Sequence, residues 1–247
     1  MRKFLYISFE KNSFLVSDGE SPANRFEIYN FEDCTSSLTH VEVRNKKTKQ
    51  KSETMIAKNL IESNYRNVPY VSVFQSVFND LNFNVKKFQC FIREKFPRSF
   101  FKRNAFVAIP DDSIVSDQRC VTDFFVSCGC INEAYLIRVG MSLSKTVTSD
   151  TEPYCALTKS ARTVTLSMVI DGGFIDQMFL DKEHDDLGQI KALINSWNDR
   201  FKILRKIPVF LYGENIEAYS PLGTTVTNDV LLDNMKYIFS KMPMLCI

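Results

Sequence analysis

"NAFVAIPDDSIVSDQRCVTDFFVSCGCINEAYLIR", Asn104 to Arg138, decides how this chain folds. It opens with an apolar run closed by Pro110 and two aspartates, the pattern of a short buried strand. Ser116 is a residue type that caps helices. After it Val121, Phe124, Phe125 and Cys128 recur at helical steps on one face. Gly129 stands where helices commonly end in a left-handed residue, and "EAYLIR" resumes as a strand. Strand, helix, glycine, strand is a βαβ unit, so part of the sheet is expected to be parallel.

Upstream, "KFLYIS" (Lys3 to Ser8) and "SFLVS" (Ser13 to Ser17) are apolar runs around a polar "FEKN", which suits a hairpin. "RFEIYN" and "THVEVR" read as further strands, and "RNKKTKQKSE" as a solvated charge run. From Val71 to Phe96 the positions Phe74, Val77, Phe78, Leu81, Phe88, Phe91, Ile92 and Phe96 mark a helical face. Downstream, "TVTSDTEPYCALTKSAR" (Thr146 to Arg162) is polar and reads as a hinge. After it come a strand to Asp171, a turn, and a strand to Leu180. A helix then carries Ile190, Leu193, Trp197, Phe201 and Leu204 on one face. The strand "IPVFLY" and a last helix around Leu231 to Ser240 complete the chain. Each half opens with a hairpin and continues into α/β units, which points to duplication.

The chain has 247 residues, 45% hydrophobic and 24% charged, with a net charge of +2. That is enough for one large or two small domains, and too near neutral to imply nucleic acid as a partner. No apolar run is long enough to span a membrane, and "MRKFLYISF" has no signal-peptide pattern. Seven cysteines without framework spacing fit reduced thiols in a cytoplasm. "CGC" at Cys128 to Cys130 lacks the spacing of a zinc or redox site, so no metal site is expected.

Arg98 to Ser144 resembles the corresponding stretch of bacterial actins of the MreB type. That family has an aromatic basic segment, a strand ending in "VPSG", a helix, and then "AGA…YLIEEPMAAA". Order, spacing and "YLI…M" recur here. The resemblance implies an α/β, actin-like ATPase fold: two RNase H-like halves with mixed sheets and a nucleotide cleft between them. The second half is expected to be reduced. The implied division is residues 1–147, an inter-domain segment 148–162, and residues 163–247.

The resemblance also says where nucleotide chemistry should sit. The family's first phosphate loop carries an aspartate and a glycine, where this chain has Ser8 and Glu10; a carboxylate there repels a phosphate. The family's water-positioning acids fall at Arg138 and Val139, so hydrolysis lacks its base. The second phosphate loop, Asp-spacer-Gly-Gly-Gly-Thr, has its nearest match at Asp171, Gly172 and Gly173 in "VIDGGF". Bulky Phe174 and Ile175 follow, so the stretch reads as a hairpin with Gly172 and Gly173 at positive φ. The adenosine-side glycines survive as Gly213. Asp171, Gly172, Gly173 and Gly213 are thus a vestigial nucleotide set, with no catalytic residue and no cofactor expected.

A non-catalytic scaffold or adaptor for other proteins in a bacterial pilus or secretion-type assembly is the favoured expectation, in the cytoplasm or peripheral to a membrane. A divergent MreB-like filament, binding itself with or without ATP and magnesium, is the alternative. A kinase- or hydrolase-like enzyme would need a cleft acid, and "DKEHDD" (Asp181 to Asp186) reads instead as charge at a helix N-terminus. For a docking patch, "FPRSFFKRN" offers Arg98, Phe100, Phe101 and Arg103.

Overall fold

The computed structural model describes residues 4–10, 13–28, 81–97, 102–145, 153–181, 186–201 and 207–241. In the first half β1 (Phe4–Glu10), β2 (Ser13–Ser17) and β3 (Asn24–Glu27) form an antiparallel meander. Helix α1 (Leu81–Lys95), strand β4 (Arg103–Ile109), helix α2 (Val115–Ser127) and strand β5 (Ile131–Arg138) follow. β4 runs parallel to both β1 and β5, as the βαβ pattern requires.

The second half has β6 (Tyr154–Lys159), β7 (Thr163–Ile170) and β8 (Gly173–Asp181), again an antiparallel meander. Helix α3 (Leu187–Arg200), strand β9 (Val209–Gly213), the short β10 (Thr224–Thr225) and helix α4 (Asn228–Lys241) complete it. β9 lies parallel to β6, and β10 parallel to β9.

The two sheets have one topology. Their orders are β3-β2-β1-β4-β5 and β8-β7-β6-β9-β10, so β6 corresponds to β1 and the β6–β7 turn to the β1–β2 turn. This revises the sequence reading in one place. Residues 154–159, expected within the hinge, are the central strand of the second sheet. Among the described residues each sheet has five strands.

Strand β6 escapes notice because it is short and buried on both faces. Tyr154 and Ala156 face one core while Cys155 and Leu157 face another, so all four are buried and no polar alternation shows.

Among the described residues one apolar cluster lies within each half and one between them. Below the first sheet, Phe14, Phe26, Phe88, Phe124 and Phe125 pack ring against ring, with centroids such as Phe26–Phe88 at 5.0 Å. Such ring pairs add about 0.5–1.5 kcal/mol each beyond area burial. Helix α3 closes the second sheet through Ile190, Ile194 and Trp197. Between the sheets, α4 sends Leu231, Leu232, Met235 and Ile238 against Tyr6 and Phe106 of one and Tyr154, Ala156 and Val169 of the other.

Local signals hold with one exception. Val121, Phe124, Phe125 and Cys128 are buried as expected, and Gly129 takes φ 67°. Helix α2 starts after Ile114 instead of at Ser116, because the Asp117 carboxylate accepts the Ile114 N–H at 3.2 Å. Asp186 caps α3 by accepting the Gln189 N–H at 2.9 Å, consistent with the reading of "DKEHDD". Among the described residues no helix is long and apolar enough to cross a membrane.

Candidate functional site

The ends of the central strands of both sheets open onto one cleft of about 630 Å³. Phe9 and Ser13 line it from the first hairpin, Asp111 and Val139 from the loops after β4 and β5. The second half contributes Thr158 to Ala161 and Tyr212 to Glu214. Its lining includes two cations, Arg25 and Lys159, and four acids, Glu27, Asp111, Glu214 and Glu217. The Lys159 ammonium lies over the Tyr219 ring, 5.7 Å from its centroid.

Asp111 is buried where the two halves meet. Its Oδ1 accepts the Gly140 N–H at 2.8 Å and its Oδ2 the Thr158 hydroxyl at 2.7 Å. Burial pushes its pKa up from 3.8 to about 6, against the lowering effect of those two hydrogen bonds. Gly140 has to be glycine, since a Cβ there would stand 2.5 Å from Asp111 Oδ2.

Asp112, also buried, faces the β6–β7 turn. Its Oδ2 accepts the Ser160 hydroxyl at 2.7 Å, the Thr163 hydroxyl at 3.0 Å and Arg162 Nε at 3.2 Å. The Arg162 guanidinium also donates to the Asp112 carbonyl and lies 3.6 Å from Asp117 Oδ2. Within the turn, the N–H groups of Arg162 and Thr163 donate to Ser160 Oγ at 3.0 and 3.1 Å.

This architecture matches known structures without any sequence match: no family model and no curated protein resembles the chain. The filament structure of AlfA from B. subtilis plasmid pLS32 aligns over 98% of this chain and 99% of its own. It does so at 12% identity and a TM-score of 0.50. The chain has the actin-like fold.

Two further structures align at lower scores. MreB5 of Spiroplasma citri bound to AMPPNP covers 81% of this chain and 57% of its own, at 10% identity and a TM-score of 0.42. The ethanolamine utilization protein EutJ from Carboxydothermus hydrogenoformans covers 97% and 90%, at 9% and 0.46. The chain therefore spans little more than half of MreB5.

In the second sheet the counterpart of the β1–β2 turn is the β6–β7 turn, Ser160-Ala161-Arg162, and Asp171, Gly172 and Gly173 lie one hairpin further on. Asp171 and Gly172 form the two-residue turn between β7 and β8, with φ 51° and 71°. Gly173 already pairs with Ile170 in the sheet, so positive φ falls on Asp171 and Gly172 and not on Gly173. None of the three lines the cleft.

Gly213 does line it, and packing accounts for its identity. At φ 132° a Cβ would come within 2.1 Å of the Lys159 carbonyl oxygen.

The remaining expected positions are placed as follows. Ser8 is buried in β1, and its hydroxyl has no partner among the described residues. Glu10 ends β1 opposite Ser13. Arg138 points away from phosphate chemistry, donating to the Asp111 carbonyl at 2.9 Å and to Gln177 at 3.3 Å.

Arg103, offered for the docking patch, is 5% exposed, with its guanidinium over the Phe96 ring at 5.6 Å and bonded to the Phe96 carbonyl. It cannot anchor a partner from there. Arg98, Phe100 and Phe101 lie outside the described residues. Trp197 is a core residue whose indole N–H donates to Asp176 at 3.2 Å.

ATP with magnesium, implied by the resemblance, does not fit the second turn as it stands. The N–H groups of Arg162 and Thr163 are taken by Ser160 Oγ, and the guanidinium of Arg162 is engaged by Asp112 and Asp117. Among the described residues no group of three His, Cys, Asp or Glu is placed to hold a metal. Sequence reasoning missed Asp111, Asp112, Thr158, Ser160 and Arg162. The only local signal was the pair of aspartates after Pro110.

Proposed function

We propose that this protein is a non-hydrolysing actin-like protein that works by assembling with copies of itself. The observation that carries the first part is the β6–β7 turn, where the N–H groups of Arg162 and Thr163 are taken by Ser160 Oγ and the Arg162 guanidinium is taken by buried acids. A phosphate loop needs those amides free and its cation turned to the ligand. Among the described residues the cleft lining has four acids to two cations, which disfavours a polyphosphate further. With Arg138 and Val139 where the family has acids, nothing at the end of β5 activates water.

Self-assembly is supported by the end-to-end match to AlfA, a protein seen as a filament. The chain carries the whole length of that protein's fold, so the shortness of its second half is no argument against longitudinal contacts.

High-speed sedimentation of the purified chain tests the proposal. The expected result is a pelleted fraction that rises with protein concentration and is the same with and without magnesium ATP. A chain that stays in the supernatant at all concentrations would instead be a docking body for other proteins, as in a pilus or secretion platform. Pelleting that requires ATP would contradict the nucleotide-free part.

A further inference from the structure

In an actin-like fold the two halves meet across the cleft, and something must hold them at a fixed angle. Here a seam of buried polar contacts does this beside the apolar packing of α4 between the sheets. The first half supplies the loop Pro110 to Ser113, together with Asp117 and Gly140. The second half supplies Tyr154, Thr158, Ser160, Arg162 and Thr163. Across the seam run Thr158 to Asp111, Ser160, Arg162 and Thr163 to Asp112, and Arg162 to Asp117. The Tyr154 hydroxyl adds a bond to the Gly140 carbonyl at 2.9 Å.

The burial of this seam separates it from ordinary surface pairing. The Arg162, Asp112 and Asp117 side chains are 4%, 0% and 1% exposed. Screening by salt is weak at such sites, and a buried charge deprived of its partner strongly destabilises the arrangement that strands it. Opening the halves would break the Arg162 bonds to Asp112 and Asp117 together with those of Ser160 and Thr163. The geometry therefore works as a latch, with Arg162 as its bolt.

We propose that this Arg162 latch joins the two halves in place of a bound nucleotide, so that the angle between them does not respond to ATP. The inference shares with the proposed function its view of the β6–β7 turn, but it makes a separate claim, about rigidity instead of hydrolysis or assembly.

Amide hydrogen exchange on the full chain tests it, with residues 110–113 and 160–163 reporting the two sides of the seam. The helices α2 and α3 report each half's interior. In the natural protein, magnesium ATP should change exchange at both seam segments by less than twofold. Arg162→Gln should raise exchange at both segments at least tenfold and leave the interiors of α2 and α3 unchanged.

A rise at 160–163 with 110–113 unmoved would show a purely local turn contact and overturn the latch, as would a strong response of the natural protein to ATP. Should Arg162→Gln fail to fold, Asp117→Asn removes the charge from the 3.6 Å arm and keeps a side-chain oxygen to accept the Ile114 N–H. It should raise exchange at both segments about threefold, and no response there overturns the proposal. Hydrolysis and sedimentation play no part in these readouts, so the latch can fail while the proposed function stands, and the reverse.

Discussion

Arg162 Nε donates to Asp112 Oδ2 at 3.2 Å, and these residues, 50 apart in the chain, belong to different halves. Removing the arginine leaves Asp112 and Asp117 charged and buried. Arg162→Ala should therefore cost about 3–5 kcal/mol of stability, measured by urea denaturation. Arg162→Lys should recover only part of it, because an ammonium lacks the planar fork that meets several oxygens.

The pH dependence of stability should carry the signature of Asp111. Its pKa is raised from 3.8 to about 6 in the folded state, chiefly by burial. The native protein then binds more protons than the unfolded chain between those values. Its contribution to stability is full below about pH 4, falls as pH rises toward 6, and stays lost above. The loss amounts to about 3 kcal/mol. Asp111→Asn, nearly isosteric, should flatten this part of the profile in denaturation series from pH 4 to 7.

Gly213 separates a packing role from a ligand role. A Cβ at that position meets the Lys159 backbone at 2.1 Å, so Gly213→Ala should push β9 from β6 and lower stability by roughly 1–3 kcal/mol. Thermal unfolding reads this directly. A variant as stable as the natural protein, yet altered in ATP binding, would return Gly213 to the adenosine side of the site.

What could be read in the sequence follows from where partners lie. The β4–α2–β5 unit was legible because its periodicity, Gly129 and Pro110 are local, and the buried face of α2 followed from three- and four-residue steps. For α3 the steps found buried Ile190 and Trp197 but not Ile194; Leu193 and Phe201 are half-buried, and Leu204 lies outside the described residues. Strand β6 was not legible, because "YCALTK" is short and buried on both faces, so no polar alternation marks it. Missing it hid the β6–β7 turn, Ser160-Ala161-Arg162, as the counterpart of the β1–β2 turn. The site chemistry was hidden for a different reason. Asp111 and Asp112 meet Thr158 and Arg162 from 47 and 50 residues away, and no local pattern encodes such a meeting. One signal was present: "FLYISFEKNSFLV" and "YCALTKSARTVTL" share the order strand, polar turn, strand, which the common sheet topology makes meaningful.

Steady-state phosphate release from magnesium ATP by the purified chain tests the central claim most directly. The self-bonded Ser160-Ala161-Arg162 turn and the arginine at position 138 predict release no faster than a protein-free blank, at any protein concentration. Release well above the blank that disappears in Asp111→Asn, the variant lacking the buried carboxylate at the cleft, would contradict it.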